Sequence, residues 1–354
     1  MSTTKEKTLT KEVTVFQMDY IIKPLKVGMV GLGEQAWDNL LPSIIQNNSA
    51  FIQAVCDIDQ QKLNTISERY RCETYLTYKE MIESEDLDCL VVASTPNVHF
   101  EVIKIALNLN IPIFIEKPPV AYIAQIKELS SHPNFNNLVT GIGINFNYAE
   151  SLLMLSKLQE KEDFGNISYM NISHLANKPD TPYWGMESLS QSFLLSQAIH
   201  PISFVLNFGN GYHIKAIDYT QKGSKIFLNL NLIIFTNDSS SFSVNLVCGT
   251  VSPHFDWNME LITDTGKMVK IDSLWELKLF DANKKTGLID ETKRWMDVWH
   301  PSPVGNGVKR TGYYHELDVF FKCIKTRSTF SPSLPDMIKV YELMETIDKS
   351  LIVK

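Results

Sequence analysis

The sequence predicts a doubly wound, mostly parallel α/β domain, followed by a second α/β domain built on an open, mostly antiparallel sheet. Three observations carry this. Between residues 25 and 140, short apolar runs alternate with amphipathic stretches across short connections, as parallel strands alternate with crossover helices. From about residue 145 the strand candidates lengthen and alternate apolar with polar residues, with turns marked by "NDSS" and "DTGK". The first strand also runs directly into a glycine-spaced turn that opens the first helix.

Taken in order, "LKVGMVG" (25–31) is the first strand. "AWDNLLPSIIQ" (36–46) has helical spacing, with Pro42 expected to bend or interrupt it. "FIQAVCD" (51–57) is a strand, "DQQKLNTISERY" (59–70) a helix, "ETYL" a short extended piece and "YKEMIES" a helix. The buried-strand candidate "DCLVVAS" (88–94) precedes the helix "HFEVIKIALNLN" (99–110), and "IPIFIE" (111–116) precedes "AYIAQIKEL" (121–129). "NLVTGIGIN" (137–145) closes the first domain. After the helix candidate "YAESLLMLSKLQE" come the strands "NISYMNISH", "YHIKAIDYT", "KIFLNLNLIIFT", "SFSVNLVCG", "WNMELITD" and "KMVKID". "YYHELDVFFKCIKT" and "PDMIKVYELMETIDKSLI" are closing helices. The stretch 294–317, rich in Trp, His and Pro, reads as a long loop, either packed on the surface or a pocket lid. The expected division is an arm over 1–23, a dinucleotide-binding domain over 24–144, a substrate and oligomerisation domain over 145–330, and a terminal helix over 331–354.

The bulk numbers narrow the function classes. Formal charge is 33 − 40 = −7 with no basic block, which argues against a nucleic-acid partner. No apolar run approaches the ~18 residues of a membrane span, and the polar start "MSTTKEKTLTKEVTVFQMDY" lacks the apolar stretch of a signal peptide. The five cysteines, Cys56, Cys72, Cys89, Cys248 and Cys323, are scattered without a CxxC pair. That argues for reduced thiols in the cytoplasm and against a metal site, with Cys56 and Cys89 as small core residues.

"GLGEQA" (31–36) matches G-x-G-x-x-G/A. Gly31 allows the tight turn, Gly33 lets the backbone approach a pyrophosphate, and Ala36 lets the helix pack on the strand. Free N–H groups at the helix start face the phosphates, so Glu34 and Gln35 join the candidate cofactor contacts. The second strand ends in Asp57, 26 residues after Gly31, where an acid can bind ribose hydroxyls. Ile58, Asp59 and Gln60 follow, with no arginine to hold a 2′-phosphate, so NAD is favoured and NADP left open. In open parallel sheets the ligand sits beyond the carboxyl ends of the strands. Thr95, Pro96 and Asn97 follow one such end, and Glu116 and Lys117 the next, before Pro118 and Pro119 stop the strand. Lys117 is therefore expected near the nicotinamide.

These stretches, "VGLGEQA", "VCD", "STPNVHFEV" and above all "IFIEKPP", resemble the glucose–fructose oxidoreductase / inositol dehydrogenase / MocA family of NAD(P)-dependent oxidoreductases. The resemblance is strong to about residue 148. It implies a Rossmann domain followed by an open-sheet domain, with Lys117 touching nicotinamide ribose and substrate. The family's second element is an aspartate followed four residues later by a histidine, on a helix opened by paired glycines. The matching stretch is "SLSQSFLLSQAIHPISFVLNFG" (188–209), where His200 falls on the family histidine. Ser196 holds the aspartate position, and Gln191 and Ser192 hold the glycine pair. A four-residue step would put Ser196 and His200 on one helical face. Tyr183 and Trp184 lie where relatives often place an aromatic beside cofactor or substrate.

The implied function is hydride transfer between nicotinamide and a hydroxyl-bearing carbon, or its carbonyl or imine form, of a sugar-like or specialised-metabolite substrate. His200 would exchange the hydroxyl proton, Lys117 would orient the hydroxyl, and Ser196 would hydrogen-bond without supplying charge. With no acid at 196, two other readings stay open: a non-catalytic NAD(H) sensor or regulatory subunit, and an enzyme using transient hydride transfer for elimination, epimerisation or glycosidic cleavage. A homodimer or homotetramer is expected, because the second sheet needs cover on its far face and "LNLNLIIF" could supply it.

Overall fold

The computed structural model describes residues 23–285, 294–304 and 307–352. The arm expected over 1–23 lies outside the described residues, apart from Lys23. Strands β1 (Leu25–Val30), β2 (Ala50–Cys56), β3 (Glu73–Tyr75), β4 (Cys89–Val92), β5 (Ile113–Glu116) and β6 (Thr140–Gly143) form a parallel sheet in the order β3-β2-β1-β4-β5-β6. The order reverses between β1 and β4, so the carboxyl ends of these two strands flank a crevice.

Both faces of this sheet are covered, which is why β4 and β5 are apolar without alternation. Val27, Met29, Val91 and Phe114 pack into one core, while Val30, Leu90, Val92, Ile113 and Ile115 pack into the other. The first core is closed by a late part of the chain. Phe320, on the Tyr313–Thr326 helix, meets Phe114 edge-on with ring centroids 5.6 Å apart, and Phe330 lies 6.3 Å from Phe114. Pro42 interrupts its helix as expected, without ending it. A π-turn over Ala36–Leu40 precedes an α-helical Leu41–Ile45, and the wider turn absorbs the hydrogen bond that proline cannot donate.

The second sheet has eight strands among the described residues: β7 (Ile167–Leu175), β8 (Gly211–Lys222), β9 (Lys225–Phe235), β10 (Ser241–Gly249), β11 (Asp256–Thr263), β12 (Lys267–Asp272), β13 (Glu276–Lys285) and β14 (Arg294–Trp299). Their order is β14-β13-β12-β11-β7-β10-β9-β8, antiparallel throughout except for the parallel β7–β10 pair. The sequence reading did not include β13. The expected loop over 294–317 also needs correction, although residues 305 and 306 lie outside the described residues. "RWMDVW" pairs with β13, Leu277 opposite Trp299 and Leu279 opposite Asp297. A short Gly307–Arg310 helix follows, and the next helix starts at Tyr313. The Arg310 guanidinium lies 4.6 Å from the centre of the Trp275 ring, tying this region to the second sheet.

Strand alternation sorts the two faces of this sheet. Leu228, Leu230 and Leu232 of β9 point into the core. The segment "LNLNLIIF", expected to cover the far face, divides between the two sides of its strand. Its leucines are inside, and Asn229, Asn231 and Ile233 face the other way. Asn171, Asn245 and Asn231 lie in register across β7, β10 and β9, with Asn245 Nδ2 donating to Asn171 Oδ1 at 2.8 Å. All five cysteines are buried and unpaired. No helix among the described residues is long and apolar enough to cross a membrane.

Candidate functional site

The glycine turn is built as its sequence requires. Gly31 has φ +94°, and a Cβ there would fall 2.1 Å from the Ala93 carbonyl oxygen. A Cβ at Gly33 would meet nothing within 4 Å, so the turn presents open space on the side where a pyrophosphate can approach. Ala36 is fully buried beneath it. Asp57 braces this turn. Its Oδ2 accepts from Leu32 N–H at 2.6 Å and its Oδ1 from Asp59 N–H at 2.9 Å. Each oxygen keeps a lone pair for a ribose hydroxyl. Asp59 caps the next helix by accepting from Gln61 N–H at 2.9 Å. A cleft of about 440 Å³ opens beside the turn, lined by Gly33, Glu34, Trp37, Asp59 and Lys62 among others. Thr95 and Asn97 are exposed at the start of the Pro96–Leu109 helix, and Pro96 occupies its first turn.

At the end of β5, Glu116 is buried, and Gly143 on the neighbouring strand leaves room for its carboxylate. One oxygen accepts from Gln35 Nε2 at 2.9 Å and the other from Lys117 N–H at 3.2 Å. Burial pushes this carboxyl above its usual range, with Lys117 opposing. Burial pulls the Lys117 ammonium below its usual value; Glu116 opposes this and Lys178 adds to it. Lys117 Nζ donates to the Ser196 carbonyl at 3.4 Å. The turn carrying Lys117 is held by His99. Ser94 N–H donates to His99 Nε2 at 2.8 Å, so the ring proton sits on Nδ1, which donates to the Pro118 carbonyl at 2.8 Å. Burial lowers this imidazole to about 4, and it stays neutral.

The second domain brings its helix to the same point. Ser196 lies in a π-turn over Leu194–Ala198, followed by the Ile199–Leu206 helix that carries His200. The sequence reading placed both on one α-helical face; the π-turn is wider, and Ser196 Oγ is buried without a hydrogen-bond partner. His200 Nδ1 is likewise buried and unpartnered. Its ring lies 4.6 Å from Phe146, and burial, the Lys117 charge and His174 all hold its pKa well down. Tyr183 and Trp184 stand on the loop before this helix, their rings 5.6 Å apart, with Tyr183 N–H donating to Ser192 Oγ at 2.8 Å. Neither makes a hydrogen bond or ring contact with Lys117 or His200 among the described residues. The glycine-pair positions serve the helix start: Ser188 caps it by accepting from Gln191 N–H at 3.1 Å.

Residues 25–143, which hold the glycine turn, Asp57 and Lys117, match the sequence model of the Gfo/Idh/MocA oxidoreductase family, described as an NAD-binding Rossmann fold. That part of the chain is similar to this family. Its structure is similar to that of a dehydrogenase from Chromobacterium violaceum, with TM-score 0.85 and 29% identity over 92% of this chain and 95% of the other. In sequence it is 24% identical over 187 residues to dTDP-3,4-didehydro-2,6-dideoxy-alpha-D-glucose 3-reductase of Saccharopolyspora spinosa, covering 52% of this chain and 56% of that protein. It is 26% identical over 145 residues to inositol 2-dehydrogenase of Salmonella typhimurium, covering 40% and 43%. The chain thus spans about half the length of the curated relatives it matches.

Three residues at the site escaped the sequence reading. His99 bridges two strand ends through its ring. His174, on β7, has its ring centroid 5.9 Å from that of His200. Gln197 fixes His174: its carbonyl accepts from His174 Nδ1 at 3.2 Å, and its Nε2 donates to the carbonyls of His174 at 2.9 Å and Gly249 at 2.7 Å. One signal was available. Alternation along "NISYMNISH" puts His174 on the same face as Met170 and Ile172, facing inward at the strand's end.

Proposed function

We propose that the protein is an NAD(H)-dependent oxidoreductase acting on a hydroxyl-bearing carbon, or its carbonyl or imine form, in a sugar-like or specialised-metabolite substrate. The observation that carries this is the meeting of Lys117 with the helix of Ser196 and His200, next to the switch point whose glycine turn stands open. The residues present suit the dinucleotide: Gly33 leaves space for phosphates, Asp57 offers lone pairs to ribose, and Glu116 and Lys117 flank the ring end. When bound, nicotinamide supplies the hydride acceptor or donor. Lys117 orients the reacting oxygen and favours negative charge on it, and an imidazole stands ready to exchange its proton. NAD is the expected cofactor, since the carboxylates of Asp57 and Asp59 stand where a 2′-phosphate would bring further negative charge. The sensor reading is favoured by one observation: Ser196 Oγ and His200 Nδ1 are both buried without partners.

The test is NADH titration followed by turnover with cyclitols, free sugars, sugar acids and nucleotide-linked sugars. Substrate-dependent NADH formation supports the dehydrogenase. Tight NADH binding with no substrate change supports the sensor, and substrate change without net NADH supports transient hydride transfer. The protein is also expected to work as a homodimer or homotetramer. The outward rows of the second sheet place Tyr169, Ile233, Ile262 and Met268 beside the asparagine row, a mixed face suited to a second copy. A monomer by light scattering at micromolar concentration would contradict this.

A further inference from the structure

Two imidazoles, His174 and His200, stand side by side near Lys117, and the structure treats them differently. His174 Nδ1 faces the Gln197 carbonyl, which can only accept, so Nδ1 carries the ring proton. In the neutral ring Nε2 is then a bare acceptor, and it makes no hydrogen bond among the described residues. Gln197 cannot easily turn away, because its side chain is tied to the carbonyls of His174 and Gly249. No such group sets the tautomer of His200. Its Nδ1 is orphaned and the adjacent helical turn offers Ser196 Oγ, which does not reach it. A general base works when a third group fixes its orientation and proton position. Among these two rings only His174 has that support, and it lies within reach of the same Lys117 charge.

We propose that His174, through Nε2, is the group that takes the substrate's hydroxyl proton, with Gln197 as its positioning residue and His200 as a wall of the pocket. This rests on the oxidoreductase reading above. In the oxidative direction the substrate C–H bond breaks with its electron pair leaving as hydride to the cofactor. The O–H bond breaks with its proton passing to His174 Nε2, and the carbon is left as C=O. Reduction runs the same exchange in reverse. The adjacent carbonyls of Ser196 and Gln197 thus hold the two working groups, Lys117 Nζ and His174 Nδ1.

The experiment uses the full chain with NAD⁺ and labels histidine nitrogens for NMR, assigning His174 by its loss in His174→Asn. An Asn amide can keep the bond to the Gln197 carbonyl while removing Nε2, so the fold-level contact survives. The expected spectrum has Nδ1 protonated and Nε2 bare at His174. With myo-inositol, D-glucose and a nucleotide-linked glucose as substrates, His174→Asn should lower kcat roughly 10²-fold, the usual scale for a lost acid–base group, while NADH affinity and KM change much less. His200→Asn should cost less than about tenfold on that scale. Nε2 protonation at His174, or a kcat loss that follows His200 instead, overturns the assignment while leaving the oxidoreductase reading intact. Wild-type protein that binds NADH but turns over none of these compounds overturns both.

Discussion

A Cβ added at Gly33 meets no atom within 4 Å, while one added at Gly31 lands 2.1 Å from a backbone oxygen. Two glycines of one motif therefore answer to different partners. Gly33→Val should leave the thermal midpoint nearly unchanged and abolish NADH binding by calorimetry, because its side chain would fill space used by phosphates. Gly31→Ala should destabilise the protein itself, since φ +94° strains any side chain and Ala93 blocks it. Undiminished NADH binding by Gly33→Val would remove the dinucleotide assignment from this turn. Residues whose role depends on backbone geometry near themselves, such as Gly31 and Asp57, were legible in the sequence. His99, His174 and Gln197 were not, because apart from Ser94 beside His99 their partners lie 19 to 52 positions away, and all are main-chain atoms, which carry no side-chain signature.

Between the strand ends and the π-turn, the site is controlled by two short elements. The first is the His99 bridge. A histidine held neutral at about 4, against 6.5 when free, binds its proton more readily in the unfolded chain. Stability from this group is present above pH 6.5 and is lost as pH falls toward 4, to a limit of about 3 kcal/mol. His174, lowered to about 3, adds to the same acid loss. Denaturant titrations across this range should show wild-type protein weakening steeply, and His99→Asn weakening less steeply from a lower start. A parallel pair of curves would contradict the bridge. The second element is the π-turn. Ser196→Asp puts a carboxylate near the Lys117 ammonium and His200, and should raise the pKa of both, read by NMR titration of His200. The strands of the first sheet were legible because burial on two faces leaves unbroken apolar runs. β13 and β14 were not. In β13 the alternation begun by Leu277 and Leu279 breaks at Phe280 and Asp281, where the apolar residue is the more exposed and the carboxylate is buried, and the aromatic content of "RWMDVW" resembled a binding loop more than an edge of a sheet.

At the scale of the whole molecule, the two sheets are joined by late helices as well as by the chain between them. Phe320 is fully buried, and its ring packs on Phe114 at 5.6 Å, Phe330 at 5.9 Å and Phe321 at 5.9 Å. Phe320→Ala should cost about 3–5 kcal/mol, the usual range for a buried phenylalanine, and a thermal melt should show it as a lowered midpoint. The Leu334–Ile352 helix adds a second tie. Tyr341 donates its hydroxyl to the Val120 carbonyl at 2.6 Å, just beyond the Lys117–Pro119 turn. The order of elements along the chain was readable from pattern alone. Which face of the first sheet the Tyr313–Thr326 helix would cover was not, because an amphipathic helix announces that it needs a partner without naming one.

That helix has a consequence for how the protein comes into being. Phe114 emerges from the ribosome early, and the helix that shields it emerges near the end of synthesis. β7 waits in the same way, since its two neighbours, β10 and β11, follow it by many tens of residues. For most of translation the nascent chain therefore carries an uncovered apolar sheet face and a central strand without mates. Such species are prone to stick to one another and slow to close. Truncated products that stop before Tyr313 would keep the glycine turn and Lys117 yet lack the cover of Phe114, and they are expected to aggregate more readily than the full chain.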